Sequence, residues 1–338
     1  MPKCGSSFKP ISLILLAVSL VTVLWTGSAY AEGVRFILNW VPDGQQAAWF
    51  AGREKGFYKE QGLDLTVISG SGSAKAVKAV GGKAAEFGLA DMGEIIKGRA
   101  RNIPVRAIGV LLAKALNVIY TLTDSGIKKP KDLEGRTVGA PVWSSLRTVF
   151  PLFAKVNKID AAKVKWVAMP PSAMAPSLYS AKVDSIATFT SLDHNLASGA
   201  AKVGKKLHRL VFSEWGVNLY SLAINTLDER IKNNPGQVRR FIHASIKSLA
   251  WTAKNADEAV RILLKSYPQA TEKSERIKWN SAFNSMITVT TLQHGLGYMT
   301  KTKIKYTRDA IMSGLGKNPC AVPVKDLYTN RFLPKRAM

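Results

Sequence analysis

Short apolar runs alternate with amphipathic segments along this chain from about residue 34 to residue 224. The short runs predict β-strands, and segments whose apolar residues recur every three or four positions predict helices. Strands that alternate with helices in this way are typical of open α/β sheets with crossover helices. The predicted strands are 34–38, 63–68, 86–90, 105–112, 117–122, 137–140, 164–168, 184–189, 207–212 and 219–224.

The predicted helices carry recognisable local signals. Ser73 is the expected N-cap of one helix, a second begins near Ser145 with a kink expected at Pro151, and a third is entered through Pro170-Pro171-Ser172. After residue 227 the pattern is almost wholly helical, and an apolar stripe over 238–249 predicts a helix packed on a core. The other predicted helices are 45–55, 257–265, 274–289 and 307–314.

The order of these elements predicts two lobes. A chain that enters a second lobe and returns to the first crosses between them twice, here near 118–122 and 220–224. Such a double crossover acts as a hinge, and the cleft between the lobes is the natural ligand site. We expect a first lobe over 32–119, a second over 120–221, and the rest of the first lobe with C-terminal helices over 222–338.

The first 31 residues have the three-part pattern of a secretory signal peptide. Lys3 and Lys9 precede an apolar run over 11–25, and Ala29-Tyr30-Ala31 is a small-residue cleavage motif. A membrane anchor is the weaker alternative, because the run is shorter than the roughly 20 residues that span a bilayer. We expect cleavage after Ala31, a periplasmic location and a soluble mature protein.

Cysteine content and charge narrow the class of protein further. Cys4 would leave with the signal peptide, and a lone Cys320 forms no intramolecular disulfide, so stability must come from buried apolar surface. Lys and Arg number 48 against 23 Asp and Glu, a net charge of +25. This charge favours encounters with anionic partners. Nucleic acid is disfavoured as a partner, because the basic residues are scattered and no nucleic-acid module is present.

Candidate ligand-binding residues follow the predicted strands, where open α/β sheets bind ligands. Trp40 offers a stacking face and one N–H donor, although a core tryptophan is the alternative. The serines lie at two predicted helix starts, whose free N–H groups favour anions and carbonyl oxygens. For the polar candidates, capping of helices is the competing interpretation. The candidates are Asn39, Trp40, Asp43, Gln46, Ser71, Ser73, Asp91, Ser144, Ser145 and Thr188. Roles for Arg147, Trp143, Trp215 and Tyr220 are left open.

The sequence gives no sign of catalysis, metal binding or a cofactor. The four histidines, at 194, 208, 243 and 294, lack metal-ligand spacing, and no Gly-x-Ser-x-Gly motif occurs. We therefore expect no enzyme activity, no cofactor and a monomer that binds a small molecule.

Several segments resemble the receptors for nitrate, sulfonates and thiamine pyrimidine precursors. The first covers residues 39–46, Asn-Trp-Val-Pro-Asp-Gly-Gln-Gln, and it continues with Lys-Gly-Phe-Tyr at 55–58 and Gly-Leu at 62–63. Further matches lie at 71–73, 131–139 and 178–186, so the resemblance spans most of the predicted mature chain. It implies a type II periplasmic-binding-protein fold that captures a small polar, anionic or planar solute for an ABC permease and its ATPase.

The chain departs from that family pattern at three positions. Gln46 replaces the usual histidine, Ala48 a glycine and Asp43 an asparagine. In eukaryotic relatives that histidine and a cysteine-rich motif serve a pyrimidine-forming synthase, and both are absent here. An exported sensory module and, less favoured, a pyrimidine-precursor enzyme on the same fold remain the alternatives to transport, and the ligand itself is left open.

Overall fold

The computed structural model describes residues 31–335. The predicted signal peptide, apart from its last residue, lies outside this range. Within it the strands are β1 Glu32–Ile37, β2 Leu63–Ile68, β3 Phe87–Asp91, β4 Val105–Val110, β5 Asn117–Leu122, β6 Thr137–Ala140, β7 Lys165–Ala168, β8 Ser185–Phe189, β9 Leu207–Val211 and β10 Leu222–Leu227. Each predicted strand is present, with ends that differ by at most a few residues. No helix in the described part of the chain is long and apolar enough to cross a membrane.

Thirteen α-helices of at least four residues lie between and after these strands in the described range. They are α1 Ala47–Glu54, α2 Ser73–Gly81, α3 Met92–Arg99, α4 Leu146–Val156, α5 Pro171–Tyr179, α6 Asp193–Lys202, α7 Asp228–Asn233, α8 Pro235–Lys254, α9 Ala256–Ser266, α10 Glu272–Met286, α11 Val289–His294, α12 Lys301–Gly314 and α13 Val324–Leu327. Helices α3 and α6 were not predicted from the sequence, and α12 begins six residues before its predicted start. Helix α4 continues through Pro151.

The strands form two five-stranded sheets with the same internal order. The first sheet runs β2-β1-β3-β10-β4 and the second runs β7-β6-β8-β5-β9. In each sheet the fourth strand, β10 or β5, is antiparallel to both neighbours, while the first three strands are parallel. We refer to each sheet with the helices packed on it as a lobe.

The chain crosses between the sheets twice. It passes from β4 to β5 through residues 111–116, and it returns from β9 to β10 through residues 212–221. Both crossings lie a few residues earlier than the sequence predicted, because 117–122 is paired along its length with β8 and β9. Each crossing therefore leads directly into the antiparallel strand of the next sheet, β5 or β10.

The inner strands are buried on both faces, which explains why they read as continuous apolar runs instead of alternating ones. All residues of β3, β5, β8 and β10 are buried. Helix α8 covers one face of the first sheet with the stripe that the sequence predicted, since Val238, Phe241 and Leu249 are all buried. The rings of Phe241 and Phe87 stack at 3.9 Å between centroids with 3° between their planes.

Phe241→Ala is expected to lower the free energy of unfolding by about 3–5 kcal/mol, because it removes a ring that contacts Phe36, Tyr58 and Phe87. Chemical denaturation followed by circular dichroism measures the change. Arg239→Ala, on the exposed side of the same helix, is the control and should alter stability by less than about 0.5 kcal/mol. Equal losses in the two variants would contradict this account of the core.

Candidate functional site

The segment after β1 is held in place by its own side chains. The main-chain N–H of Asp43 donates to Gln46 Oε1 at 3.1 Å, and the N–H of Gln45 donates to Asp43 Oδ1 at 3.0 Å. These two bonds form a capping box at the short 3₁₀ helix Gly44–Gln46. Gln46 Nε2 donates in turn to Asn39 Oδ1 at 3.4 Å. This bond fixes the orientation of the Asn39 amide.

Trp40 lies at the interface between the lobes. It follows β1 of the first lobe, yet its side chain is 8% exposed and belongs to an apolar cluster with Val118, Met174 and Ile186 of the second lobe. Both interpretations from the sequence apply in part, because the ring is buried but the core that it joins is the partner lobe's. This position favours the interpretation that Trp40 forms part of the wall of the cleft.

The second lobe brings Thr188 and Asn117 to one edge of its sheet. Thr188 lies opposite Val118 and Asn117 lies opposite Phe189 in the antiparallel pairing of β5 with β8. Thr188 and Val118 therefore share a face of the sheet, which is the face of the cluster that contains Trp40, whereas Asn117 and Phe189 share the opposite face at the same edge. The sequence analysis missed Asn117, since an asparagine at the start of a strand has no distinguishing pattern.

Three buried polar atoms in this region have no hydrogen-bond partner within the described residues. They are Asn39 Nδ2, Asn117 Nδ2 and Thr188 Oγ1. An unpaired buried donor costs roughly 1–3 kcal/mol, and each such group calls for an explanation. A small molecule with acceptor atoms would satisfy the two amide donors, and the threonine hydroxyl can either donate or accept.

The two serine-containing loops meet across the cleft. Gly72 has φ 143°, and a Cβ added there would lie 2.2 Å from the main-chain oxygen of Trp143. The N–H of Ala74 donates to that same oxygen at 3.1 Å. An N–H group in the first turn of α2 thus donates to a carbonyl of the loop before α4. The lobes are therefore closed on each other in this structure.

The serine hydroxyls are used mainly to hold these loops. Ser73 Oγ accepts from the N–H of Asp91 at 3.0 Å, and Ser144 Oγ accepts from the N–H of Leu146 at 3.3 Å. Ser145 is buried and Ser71 is half-buried. The prediction that Ser73 is the N-cap of α2 is wrong by one residue, because Gly72 adopts a positive φ that favours glycine and takes that position.

The side chains whose roles the sequence left open mostly serve the scaffold. Arg147 donates to the carbonyl oxygens of Pro141 and Ala140, both at 3.1 Å. Tyr220 Oη accepts from the N–H of Thr300 at 3.1 Å. Trp143 and Trp215 are 38% and 36% exposed at the surface. None of these contacts directs a positive charge at Asn39 or Thr188.

Residues 44–259 match the family described as NMT1/THI5 like. This match covers well over half of the chain. The chain belongs to the NMT1/THI5 like family. A formylaminopyrimidine-binding protein of Halalkalibacterium halodurans is 24% identical over 269 residues, which are 78% of this chain and 80% of the relative.

A second relative carries the name of an enzyme. The 4-amino-5-hydroxymethyl-2-methylpyrimidine phosphate synthase of Legionella pneumophila is 22% identical over 315 residues, or 91% of this chain and 94% of the relative. Among solved structures, a ligand-binding component of an ABC-type import system from Staphylococcus aureus, crystallised with zinc, has a TM-score of 0.66 at 12% identity. That similarity covers 89% of this chain and 97% of the neighbour. This NMT1/THI5 like chain has the periplasmic-binding-protein fold of ABC import systems.

Two buried carboxyl groups flank this region of the NMT1/THI5 like chain. Asp91 is the N-cap of α3, where it accepts from the N–H of Gly93 at 2.9 Å and from Ser221 Oγ at 3.0 Å. Burial raises its pKa to about 6, although these two hydrogen bonds act to lower it. Burial also raises the pKa of Asp43 to about 6, although Lys278 at 4.0 Å opposes the change.

Asp91→Asn is expected to change the pH dependence of stability. Because the folded-state pKa of Asp91 is raised from 3.8 to about 6, its favourable contribution is complete below pH 3.8 and is lost as the pH rises through 6. The unfolding free energy of the variant minus that of the wild type should therefore rise by on the order of 3 kcal/mol between pH 4 and pH 7.5. Denaturant titrations at both pH values measure it, and a constant difference would contradict an uncharged buried Asp91 at pH 4.

Gly72→Ala is expected to open the lobes, because the new Cβ would clash with the Trp143 carbonyl. Small-angle scattering should show a larger radius of gyration than that of the wild type. Gly56→Ala is the matched control, since Gly56 also has a positive φ, 77°, but its added Cβ meets nothing within 4 Å. Backbone strain of about 1–3 kcal/mol is common to both variants, so an identical radius in the two would contradict a steric role for Gly72.

Proposed function

We propose that this protein is the periplasmic solute receptor of an ABC importer, and that it captures an uncharged planar heterocycle of the pyrimidine class between its lobes. The observation that carries the proposal is the set of unpartnered polar atoms at strand ends, from Asn39 after β1 and from Asn117 and Thr188 where β5 begins and β8 ends, with Trp40 packed on the sheet face that carries Thr188. The segment before residue 32 would serve as the cleaved export signal, and the closed receptor would dock on a membrane permease driven by its ATPase.

The chemistry of the candidate residues favours a pyrimidine over an anion. Two amide N–H donors suit the ring nitrogens or a carbonyl oxygen of a heterocycle, and an indole suits its flat face. Asp43 and Asp91 are buried carboxyls close to the candidate residues, Lys278 is paired with Glu275 at 2.6 Å, and Lys97 donates to Thr148 Oγ1 of the second lobe at 2.7 Å. A net charge of +25 raises the rate of encounter with anions in general, but within residues 31–335 no lysine or arginine is hydrogen-bonded to the side chain of Asn39 or Thr188. The relative from Halalkalibacterium halodurans, named as a formylaminopyrimidine-binding protein, points to the same ligand class.

Closure would follow from contacts that only the closed state offers. Asn39 and Trp40 extend from the first lobe, whereas Asn117 and Thr188 belong to the second. A ligand that bonds to both sets stabilises the closed arrangement by its differential affinity for that state. The crossings at 111–116 and 212–221 are the segments that would bend. The permease would then bind the closed, ligand-loaded receptor in preference to the open one.

A synthase is the second candidate, because the Legionella pneumophila relative that carries that name aligns with 91% of this chain. The local chemistry favours binding. Gln46, at the position of the family histidine, is a neutral amide held by Asp43 and Asn39, and it cannot transfer protons near neutral pH. Turnover of a pyrimidine precursor by the purified protein would favour the synthase. A stable complex without permease-dependent uptake would favour a sensory module.

A thermal-shift panel tests the ligand class. The panel contains 4-amino-5-hydroxymethyl-2-methylpyrimidine, a formylaminopyrimidine, nitrate and an alkanesulfonate. A true ligand at 100 times its dissociation constant adds about 2.7 kcal/mol of stability. We expect a shift with a pyrimidine and none with nitrate. A shift with the anions alone would overturn the ligand assignment.

Thr188→Val sharpens this test. Loss of one hydrogen bond to the ligand should raise Kd about five- to tenfold, as measured by calorimetry. Thr252→Val is the matched control, since Thr252 on α8 also has a buried hydroxyl without a partner in the described residues but lies outside the candidate site. Equal effects of the two substitutions on Kd would remove Thr188 from the site.

A further inference from the structure

Helix α10 reaches the capped loop Asp43–Gln46 from a distant part of the sequence. The N–H of Gly44 donates to Glu275 Oε2 at 2.5 Å. The two segments are so close that a Cβ on Gly44 would lie 1.8 Å from the main-chain oxygen of Glu275. Only glycine permits this approach, so the loop and the helix are packed backbone to backbone.

The contact contains a buried ion pair. Lys278 Nζ lies 2.6 Å from Glu275 Oε1 and 4.0 Å from Asp43 Oδ2, and the side chains of Glu275 and Lys278 are 1% and 8% exposed. Desolvation makes a buried ion pair a poor source of net stability, whereas removal of one partner leaves an uncompensated charge. The pair therefore fixes geometry more effectively than it stabilises the fold.

The same turn of α10 also bonds to the second lobe. Ser274, adjacent to Glu275, donates from Oγ to Asn195 Oδ1 of α6 at 2.6 Å. Helix α10 further packs against Thr190–Leu192, the short helix that follows Phe189 and therefore begins two residues after Thr188. Helix α10 thus contacts both the loop after β1 and the segment after β8.

We propose that Glu275 is a positioning residue for the ligand loop, and that the bond between Ser274 and Asn195 makes the geometry of this loop depend on closure of the lobes. In the closed arrangement α10 is held by both lobes, and Glu275 fixes Gly44. Asn39 is then oriented through Gln46. When the lobes separate, the Asn195 contact is lost and α10 and the loop gain freedom. The inference rests on the proposed ligand site at Asn39 and Thr188.

Hydrogen–deuterium exchange of the peptide that contains residues 43–46 tests the positioning role without any ligand. Glu275→Gln removes the charge that holds Gly44 and Lys278, and we expect exchange in this peptide to accelerate at least tenfold. Lys273→Gln is the matched control, because Lys273 lies two residues before Glu275 on the exposed side of α10 and should leave the rate unchanged. An unchanged rate in Glu275→Gln would overturn the positioning role.

Asn195→Ala tests the dependence on closure. Asn195 lies on α6 and its side chain bonds to Ser274 instead of the loop. We expect this variant to accelerate exchange at 43–46 at least threefold, and Ser274→Ala to do the same. The double variant should show no increase beyond that of Ser274→Ala, which breaks the bond to Asn195 and also removes the contact of Ser274 Oγ with Glu275 Oε1 at 3.2 Å. Exchange at wild-type rate in Asn195→Ala would overturn the coupling even if Glu275→Gln behaved as expected.

Binding measurements separate this inference from the proposed function. With 4-amino-5-hydroxymethyl-2-methylpyrimidine as the probe, Glu275→Gln should raise Kd at least tenfold, and Asn195→Ala should raise it severalfold. Lys273→Gln should bind as the wild type does. If the wild type fails to bind the probe while the exchange results hold, the ligand assignment fails and the coupling through α10 stands. Normal binding by a Glu275→Gln variant with accelerated exchange would show that the loop does not form the site.

Discussion

The close approach of Gly72 to the carbonyl of Trp143 joins the two lobes at the starts of α2 and α4, beside the contacts of Lys97 with Thr148 and of Ser274 with Asn195. It requires a residue without a side chain at φ 143°, and it lets the second lobe supply a hydrogen-bond acceptor to the first turn of α2. Because the two loops touch, the strand ends behind them are shielded from water. Asn39, Trp40 and Thr188 are all buried, although they come from separate sheets.

This burial has an electrostatic consequence. Asp43 and Asp91 lie near the interface with pKa values raised to about 6 by desolvation, so the region disfavours further negative charge. The protein nevertheless carries a net charge of +25, most of it on the surface. The net charge therefore favours encounters with anions, whereas the local chemistry of the candidate site favours an uncharged solute. Short-range contacts decide binding in a desolvated pocket, since surface charges are screened beyond about 10 Å at ordinary ionic strength.

Gln46 occupies the position at which the family resemblance implies a histidine. Its hydrogen bonds cap the loop and orient Asn39, but its amide does not titrate near neutral pH. A binding protein needs orientation alone, whereas an enzyme also needs proton transfer. The same backbone can therefore belong to relatives that are named as receptors and relatives that are named as synthases.

The sequence by itself determined the strands and most of the long helices. Burial on both faces turns β3, β5, β8 and β10 into continuous apolar runs, and the stripe on α8 repeats with the helical period, so local patterns were enough. Helix α3 was missed because it contains Gly93 and Gly98 and has only a weak apolar face. The two crossings were predicted a few residues too late along the chain for a similar reason. No local signal separates the end of a linker from the start of a buried strand.

Only the tertiary structure decided how the candidate site is assembled. The family motif identified Asn39, Trp40 and the loop that follows, all of which are local in the chain. The contribution of Asn117, the contact between Gly72 and Trp143, and the bond from Gly44 to Glu275, 231 residues away, depend on distances between remote segments. A side chain's type predicts which bonds it can form, but the packing of the two lobes and α10 decides which groups remain without a partner, and those groups are the ones available to a ligand.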